Sequence, residues 1–278
     1  MRPMKTGLYS LMLGCNTLLL PLAFPSISIA QPIAAENISQ WQGFNAPTGI
    51  ATAKDGTIYV TNWGGNTVDK IASDGSRTVF LTGISSPAGI VIDNDGTIFV
   101  ASYSGDYIEA IAPDGARKRL VEGLATPTGL ALAANGQLLV ANRAAGQILS
   151  INKSNSQQRV VARSLSLPVG VVEMKDGSLV SSQYGGRVTR IKPDGTTQEL
   201  GKEFIRPGVG ILADGDDAVF VIDNGANVVR RVSFSGQTQT IGPEMTGGSA
   251  VALGWGNSNE LLAGAWGNNR IYRIHLTR

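Results

Sequence analysis

The sequence repeats one pattern along most of its length. Residues 56–76 read GTIYVTNWGGNTVDKIASDGS, and residues 96–116 read GTIFVASYSGDYIEAIAPDGA. Four further copies begin at residues 136, 177, 217 and 259. The glycines ahead of the first five copies, at positions 49, 89, 129, 170 and 210, are 40, 40, 41 and 40 residues apart. A fixed period of this length indicates a repeat architecture in which each unit packs on its neighbours.

Each repeat predicts four short strands joined by tight turns. In the first repeat, residues 49–53, 58–61, 67–72 and 78–81 are rich in β-branched and aromatic residues. Asp-Gly pairs in the turns between them are a hairpin signal. Val68 and Ile71 have a helix-like spacing, but the short run and the flanking glycines favour a strand. Four strands per unit, with no helical segment between units, predict an all-β, six-bladed β-propeller.

The two ends of the repeat region predict how the ring closes. The sixth copy stops after its third strand, at residues 271–274, whereas residues 39–50 (SQWQGFNAPTGI) resemble a fourth strand followed by the start of a blade. We therefore expect the N-terminal strand to complete the C-terminal blade. Such a pairing removes an exposed sheet edge that would favour aggregation.

Residues 1–30 have the order of a secretory signal peptide. Arg2 and Lys5 precede an apolar run over residues 8–24, and small residues follow at 28–30. A membrane anchor is disfavoured because polar residues and a proline interrupt the run, and a lipid anchor at Cys15 would leave apolar residues on the mature chain. We expect cleavage after Ala30, which leaves residues 31–278 as one monomeric propeller domain, periplasmic or secreted.

Charge and cysteine content exclude several classes of function for the mature chain. Loss of Arg2 and Lys5 lowers 23 basic residues to 21, which equals the 21 acidic residues. Without a basic cluster, neither a nucleic acid nor a membrane is an expected partner. The single cysteine, Cys15, leaves with the signal peptide, so we expect no disulfide and no thiolate chemistry.

The repeat resembles known propeller families. Asp-Gly, a strand such as IYVTN and a turn such as Trp-Gly-Gly-Asn are similar to NHL repeats. The combination of PTGI with DGTIYV also resembles gluconolactonase-like and virginiamycin B lyase-like propellers over residues 39–278. The resemblance implies that loops before the first strand and after the second strand of each blade share one face around the channel. These propellers host unrelated functions on one fold.

A divalent cation such as Ca²⁺ is the cofactor that the resemblance implies. Gluconolactonase-like enzymes hold it in the channel with Glu, Asn and Asp and use it to polarise a carbonyl group. Here Ala88, Thr128 and Val169 stand where such ligands are expected. The remaining candidate ligands carry side-chain oxygen and lie at strand ends or in a first strand: Asn62, Asn142, Glu173 and Asp223.

Catalytic groups are sparse in the same positions. A virginiamycin B lyase-like enzyme would need Glu or His on the turns that carry Asn62 and Ser102 instead. The only histidine, His275, lies on the last strand and is interpreted as a packing or surface residue. We therefore expect a binding scaffold rather than an enzyme, with a cation-dependent hydrolase or lyase as the alternative.

The channel mouth is the predicted binding surface. Amphipathic aromatic residues and arginine on a rigid ring contribute large contact area at little ordering cost. The alternative is that these aromatic residues only pack against neighbouring blades. The occupant is expected to be a small molecule, a glycan or a protein. The predicted ligand-binding residues are Trp63, Tyr103, Arg143, Gln183, Asn224 and Trp266.

Overall fold

A computed structural model describes residues 34–257 and 259–277, and the predicted signal peptide lies outside these residues. The described chain forms six antiparallel sheets of four strands each, which confirms the predicted all-β six-bladed propeller. Its one helical element is a 3₁₀ turn at Arg143–Ala145. No helix in the described ranges has the length and apolar character needed to cross a bilayer.

Blades 1 to 3 follow the chain, and each is a meander whose first strand is innermost. Blade 1 contains β2 (Pro47–Thr52), β3 (Ile58–Asn62), β4 (Thr67–Ile71) and β5 (Arg77–Thr82). Blade 2 contains β6 (Pro87–Ile92), β7 (Ile98–Ser102), β8 (Tyr107–Ile111) and β9 (Arg117–Val121). Blade 3 contains β10 (Pro127–Leu132), β11 (Leu138–Asn142), β12 (Gln147–Ile151) and β13 (Gln158–Ala162).

Blades 4 and 5 repeat this order, and blade 6 combines both ends of the described chain. Blade 4 contains β14 (Pro168–Glu173), β15 (Leu179–Gln183), β16 (Arg187–Ile191) and β17 (Thr197–Glu199). Blade 5 contains β18 (Pro207–Asp214), β19 (Ala218–Asp223), β20 (Val228–Ser233) and β21 (Thr238–Ile241). Blade 6 contains β22 (Ala250–Asn257), β23 (Glu260–Ala265), β24 (Arg270–Thr277) and β1 (Ala34–Gln42).

The N-terminal strand closes the ring as the sequence predicts. Strand β1 pairs antiparallel with β24, from Ala34 opposite Thr277 to Gln42 opposite Arg270. The strand begins at Ala34, upstream of the predicted residue 39, so the pairing between β1 and β24 is longer than expected. The last blade therefore has its fourth strand and presents no unpaired β24 edge.

Each blade is packed on both faces, which explains the helix-like spacing in the third strands. Six clusters of buried residues fill the six spaces between neighbouring blades. Val68 packs with Ile98 of blade 2, whereas Ile71 packs with Leu262 of blade 6. Residues three apart on a strand point to opposite faces. Both must be apolar because both faces are covered.

The recurrent glycine of the first strands is required by the close approach of neighbouring blades at the channel. A Cβ added to Gly89 would lie 2.4 Å from the carbonyl oxygen of Thr128 in the next blade. At Gly49 the same construction meets the carbonyl oxygen of Ala88, also at 2.4 Å. The regular spacing of these glycines in the sequence thus results from close backbone contacts between neighbouring blades around the channel.

Candidate functional site

One face of the propeller brings together the predicted site positions. In the innermost hairpin of each blade, the start of the first strand pairs with the end of the second, as in Pro47 opposite Asn62 and Pro127 opposite Asn142. We call this side the mouth face. The turns between first and second strands lie at the other end of the blades, on what we call the opposite face.

The polar residues that end the second strands hold the loops of the mouth face. Asn62 Oδ1 accepts a hydrogen bond from the backbone N–H of Asn45 at 3.1 Å. In blade 3, Asn142 Oδ1 accepts one from the backbone N–H of Ala125 at 2.7 Å. Both asparagines are buried. Their side-chain oxygens therefore satisfy loop N–H groups that would otherwise be unpaired.

Asp223 performs the same task in blade 5 with a charged group. Its carboxylate accepts backbone hydrogen bonds from Ile205 at 3.2 Å and Arg206 at 2.9 Å. Arg230 Nε donates to it at 2.9 Å. The Asp223 side chain is fully buried. Its charge is compensated by three donors within the blade, as a buried carboxylate requires.

The four residues predicted as cation ligands do not converge. Asn62, Asn142 and Asp223 lie in different blades and hold loops, whereas Glu173 ends β14 near the opposite face. Glu173 Oε2 accepts the backbone N–H of Ala134 from the neighbouring blade at 2.5 Å. Within residues 34–257 and 259–277 no group of three or more His, Cys, Asp or Glu residues could hold a metal ion. The residues present do not fit the divalent cation that the resemblance implies.

A concave cavity of about 280 Å³ opens at the mouth face. Five of the six predicted ligand-binding residues line it, which are Trp63, Tyr103, Arg143, Asn224 and Trp266. Two residues that the sequence analysis did not single out, Tyr184 and Arg206, line it as well. Thr48, Thr128 and Ser249 also line it.

Three aromatic side chains form one wall of this cavity. The ring centroid of Trp63 lies 4.4 Å from that of Tyr103 and 5.5 Å from that of Trp266. The indole N–H of Trp266 donates to Thr48 Oγ1 at 3.2 Å. All three rings are partly exposed. They pack against neighbouring blades and also contribute to the cavity surface. The packing role and the ligand-binding role predicted for these aromatic residues are therefore compatible.

Two arginines form the other wall and are held by tyrosines. Arg143 Nη1 donates to Tyr103 Oη at 3.0 Å, and Arg206 Nη1 donates to Tyr184 Oη at 3.2 Å. The guanidinium carbons of Arg143 and Arg206 lie 5.5 and 5.3 Å from the centroid of the Tyr184 ring. Both cations are therefore oriented by cation–π contacts with the Tyr184 ring and by hydrogen bonds to tyrosine hydroxyl groups.

Gln183 does not line the mouth, and the placement predicted for it is wrong. Its side chain is buried, accepts the backbone N–H of Ser166 at 2.6 Å and donates to Thr189 Oγ1 at 2.5 Å. Gln183 is the blade 4 equivalent of Asn62, since both pair with the proline that begins the first strand. The turn after Gln183, residues 184–186, is one residue shorter than the equivalent turn of blade 1, residues 63–66. When the repeats are aligned on their third strands, this difference places Gln183, instead of Tyr184, level with Trp63.

Signals for both missed residues are present in the sequence. Alignment on Asp176-Gly177, rather than on the third strand, places Tyr184 level with Trp63. Arg206 occupies the position immediately before the proline of a first strand, where blade 1 has Ala46. A charged residue at this position, in a loop next to the channel, indicates a side chain that lines the mouth cavity.

The single histidine of the sequence lies away from the cavity. His275 is on β24 opposite Glu260, the first residue of β23, and therefore near the opposite face. Its Nδ1 is 3.4 Å from Glu260 Oε2, and about half of its side chain is exposed. This placement agrees with the interpretation of His275 as a surface residue.

The described chain is a six-bladed propeller with a concave cavity on its mouth face. Residues 34–278 match the profile of the virginiamycin B lyase family. The chain belongs to the virginiamycin B lyase family.

Solved structures share the fold at low sequence identity. A virginiamycin B lyase from Staphylococcus aureus, in a catalytically inactive histidine-to-alanine variant with quinupristin, is 17% identical, with a TM-score of 0.63, over 88% of this chain and 100% of that chain. A gluconolactonase from Xanthomonas campestris is 17% identical, with a TM-score of 0.77, over 87% of this chain and 90% of that chain. A chain of a nidogen/laminin complex is 23% identical, with a TM-score of 0.65, over 72% and 81% of the two chains. No curated protein matches.

Proposed function

We propose that this protein is an exported, monomeric binding scaffold that captures a small molecule in the mouth cavity. The observation that carries the proposal is the lining of that cavity. Aromatic faces, two oriented arginines and a few hydroxyl groups converge there, which is the composition of a ligand site. A pocket of about 280 Å³ is too small for an extended chain. This favours a small molecule over a glycan or a protein.

Rigidity of the mouth supports the same function. The loops before the first strands of four blades, one of which carries Arg206, are tied to the ends of the second strands by Asn62, Asn142, Gln183 and Asp223. The aromatic residues and arginines of the cavity lie in short connections between strands of a closed ring. A preformed site of this kind loses little conformational freedom on binding, so more of the contact energy contributes to affinity.

A cation-dependent lyase or hydrolase is the second candidate, and family membership favours it. The structure of an inactive histidine-to-alanine variant attributes a required histidine to the S. aureus enzyme. No histidine lines the mouth cavity of this chain, and His275 is near the opposite face. Incubation of the protein with quinupristin, followed by chromatography of the remaining compound, tests this candidate. Turnover that depends on an added divalent cation would favour it over binding alone.

The binding proposal is tested with two bicyclic aromatic probes, neutral 2-naphthamide and anionic 2-naphthoate, by isothermal titration calorimetry. We expect at least one probe to bind with one-to-one stoichiometry to the chain that begins at residue 31. The double variant Trp63→Ala, Trp266→Ala removes most of the aromatic wall and should abolish binding while circular dichroism shows a folded protein. Trp41→Ala, which alters a partly buried tryptophan on β1, is the matched control and should bind normally. Binding that survives the double variant, or no binding of either probe, overturns the proposal.

A further inference from the structure

We infer that the ligand of the mouth is an aromatic organic acid, with its ring against Trp63, Tyr103 and Trp266 and its carboxylate on Arg143 and Arg206. The inference rests on the proposed function and names the class of molecule that the site selects. It follows from the charge, the orientation and the surroundings of the two arginines.

Arg143 and Arg206 differ from most arginines of the described chain because no carboxylate compensates them. Eight others, such as Arg230 with Asp223 and Arg117 with Glu109, form ion pairs in the described ranges. The two mouth arginines form none there, and no acidic residue lines the cavity. The cavity therefore carries two positive charges and attracts an anion.

The unused donors of these arginines suit a carboxylate. A guanidinium group has five N–H donors in a planar fork. In the described part of the chain, one donor of Arg143 binds Tyr103 Oη and one donor of Arg206 binds Tyr184 Oη. The remaining donors have no protein acceptor there. Planar pairs of such donors bind carboxylate oxygens in bidentate fashion.

The arginines are also oriented before any ligand arrives. Tyr184 lies within 5.5 Å of the Arg143 guanidinium carbon and 5.3 Å of that of Arg206, so one ring positions both cations. Arg143 has the ring of Tyr103 as a second neighbour, at 5.8 Å. Cations held by neutral phenol groups keep their full charge for a ligand. Less entropy is lost when an arginine is already fixed in place.

The aromatic wall and the size of the cavity define the rest of the ligand. Tyr103 packs against Trp63 with the two rings tilted by 52° and also accepts a hydrogen bond from Arg143, so the apolar and the cationic walls meet at this residue. A ligand with a flat ring next to its acidic group would contact both walls at once. A volume of about 280 Å³ accommodates one such small molecule.

The test compares 2-naphthoate with 2-naphthamide, which have the same ring system and differ in charge. We expect the wild-type protein to prefer the acid by about tenfold or more, as charge-assisted hydrogen bonds imply. The preference should decrease as the salt concentration rises. Arg143→Gln and Arg206→Gln should each reduce the preference, and the double variant should remove it by lowering 2-naphthoate affinity more than 2-naphthamide affinity.

Arg159→Gln is the matched control. Arg159 is exposed on β13. Its neighbour Gln158 pairs with Ile151 of β12, at the end of blade 3 that is far from the mouth face. The change removes the same charge from the chain and should leave the preference for the acid unchanged.

The possible results separate the two proposals. Equal affinity for both probes, with loss of both in Trp63→Ala, overturns the anion inference and leaves the binding proposal intact. A preference for the acid that persists in the double arginine variant also overturns the inference, because other groups then carry it. No binding of either probe to the wild-type protein overturns both.

Discussion

Trp266 in the last blade donates its indole N–H to Thr48 Oγ1 in the first blade at 3.2 Å, across the closure of the ring. The same Thr48 hydroxyl donates to the carbonyl oxygen of Ala46 at 2.9 Å. Ala46 in turn receives a second tie across the closure, because its backbone N–H donates to Asn269 Oδ1 at 2.9 Å. The closure of the ring and the wall of the mouth cavity are therefore parts of one hydrogen-bonded unit.

Replacement of Thr48 by valine should weaken this unit. Thr48→Val keeps the β-branched shape but removes the acceptor of Trp266 and the donor to Ala46. Since Thr48 is buried, we expect a loss of about 1–3 kcal/mol in the free energy of unfolding, measured by urea titration. Thr78→Val, the same change on an exposed position of β5, should alter stability little. Equal effects of the two changes would show that the bond across the closure contributes nothing.

Asp223 should prove more important for stability than the equivalent Asn142. Asp223→Ala leaves two backbone N–H groups without their acceptor and removes the carboxylate that pairs with Arg230. Loss of one partner of a buried ion pair costs about 3–5 kcal/mol. Asn142→Ala leaves one backbone N–H unpaired, at a cost of about 1–3 kcal/mol. Thermal and chemical unfolding of the two variants measure the difference.

The calcium dependence of stability distinguishes a structural from a metal-binding role of Asp223. If Asp223 holds loops, EDTA or added calcium should leave the unfolding midpoint of the wild-type protein unchanged. A calcium-dependent rise in the midpoint that disappears in Asp223→Asn would instead assign this carboxylate to a cation.

Stability should fall in acid because of aspartates in the turns of the opposite face. Ser76 donates its hydroxyl at 2.6 Å and its backbone N–H at 2.9 Å to Asp74 Oδ1, and these bonds hold the pKa of Asp74 below its ordinary value of 3.8. The same type of bond lowers the pKa of four other turn aspartates, which are Asp55, Asp95, Asp176 and Asp194.

The direction of the pH effect follows from these lowered pKa values. The unfolded chain takes up protons at the ordinary aspartate pKa, before the folded chain does. The contribution of these aspartates is therefore complete above that pKa and is lost as the pH falls through the lower, folded-state values. Asp74→Asn keeps the acceptor oxygen but cannot titrate, so its unfolding free energy should change less between pH 5 and pH 2.

Glu203→Gln is the control for this prediction. It removes an exposed carboxylate that accepts no hydrogen bond in the described part of the chain. An acid-stability curve of Asp74→Asn that matches both wild type and this control would contradict the assigned role of the turn.

Much of the fold could be predicted because the signals are local and repeated. The third-strand spacing recurs in all six blades, and the glycine period and the Asp-Gly turns recur in most of them. Gly89 illustrates this: its neighbour across the channel, Thr128, belongs to the next repeat, so the constraint returns at the period of the chain. The same regularity placed Trp63 and Trp266 at the mouth.

The candidate site could be predicted only in part, because its members depend on details within the repeat. One missing turn residue exchanged Gln183 for Tyr184 at the mouth, and a change of this size has little effect on the overall period. Asn62 and Asp223 looked like free ligands for a cation. In the structure, backbone N–H groups from nearby loops occupy their oxygens.

By itself the sequence determined the blade architecture, the number of blades and the pairing of the two chain ends, because backbone pairing and apolar patterning repeat with the chain. Only the tertiary structure decided which polar side chains form hydrogen bonds with loop backbone groups and which remain available to a ligand at the mouth. Arg143 and Arg206 come from different blades and meet at the Tyr184 ring. Packing of successive blades brings them together, and no sequence spacing encodes a distance between side chains of separate blades.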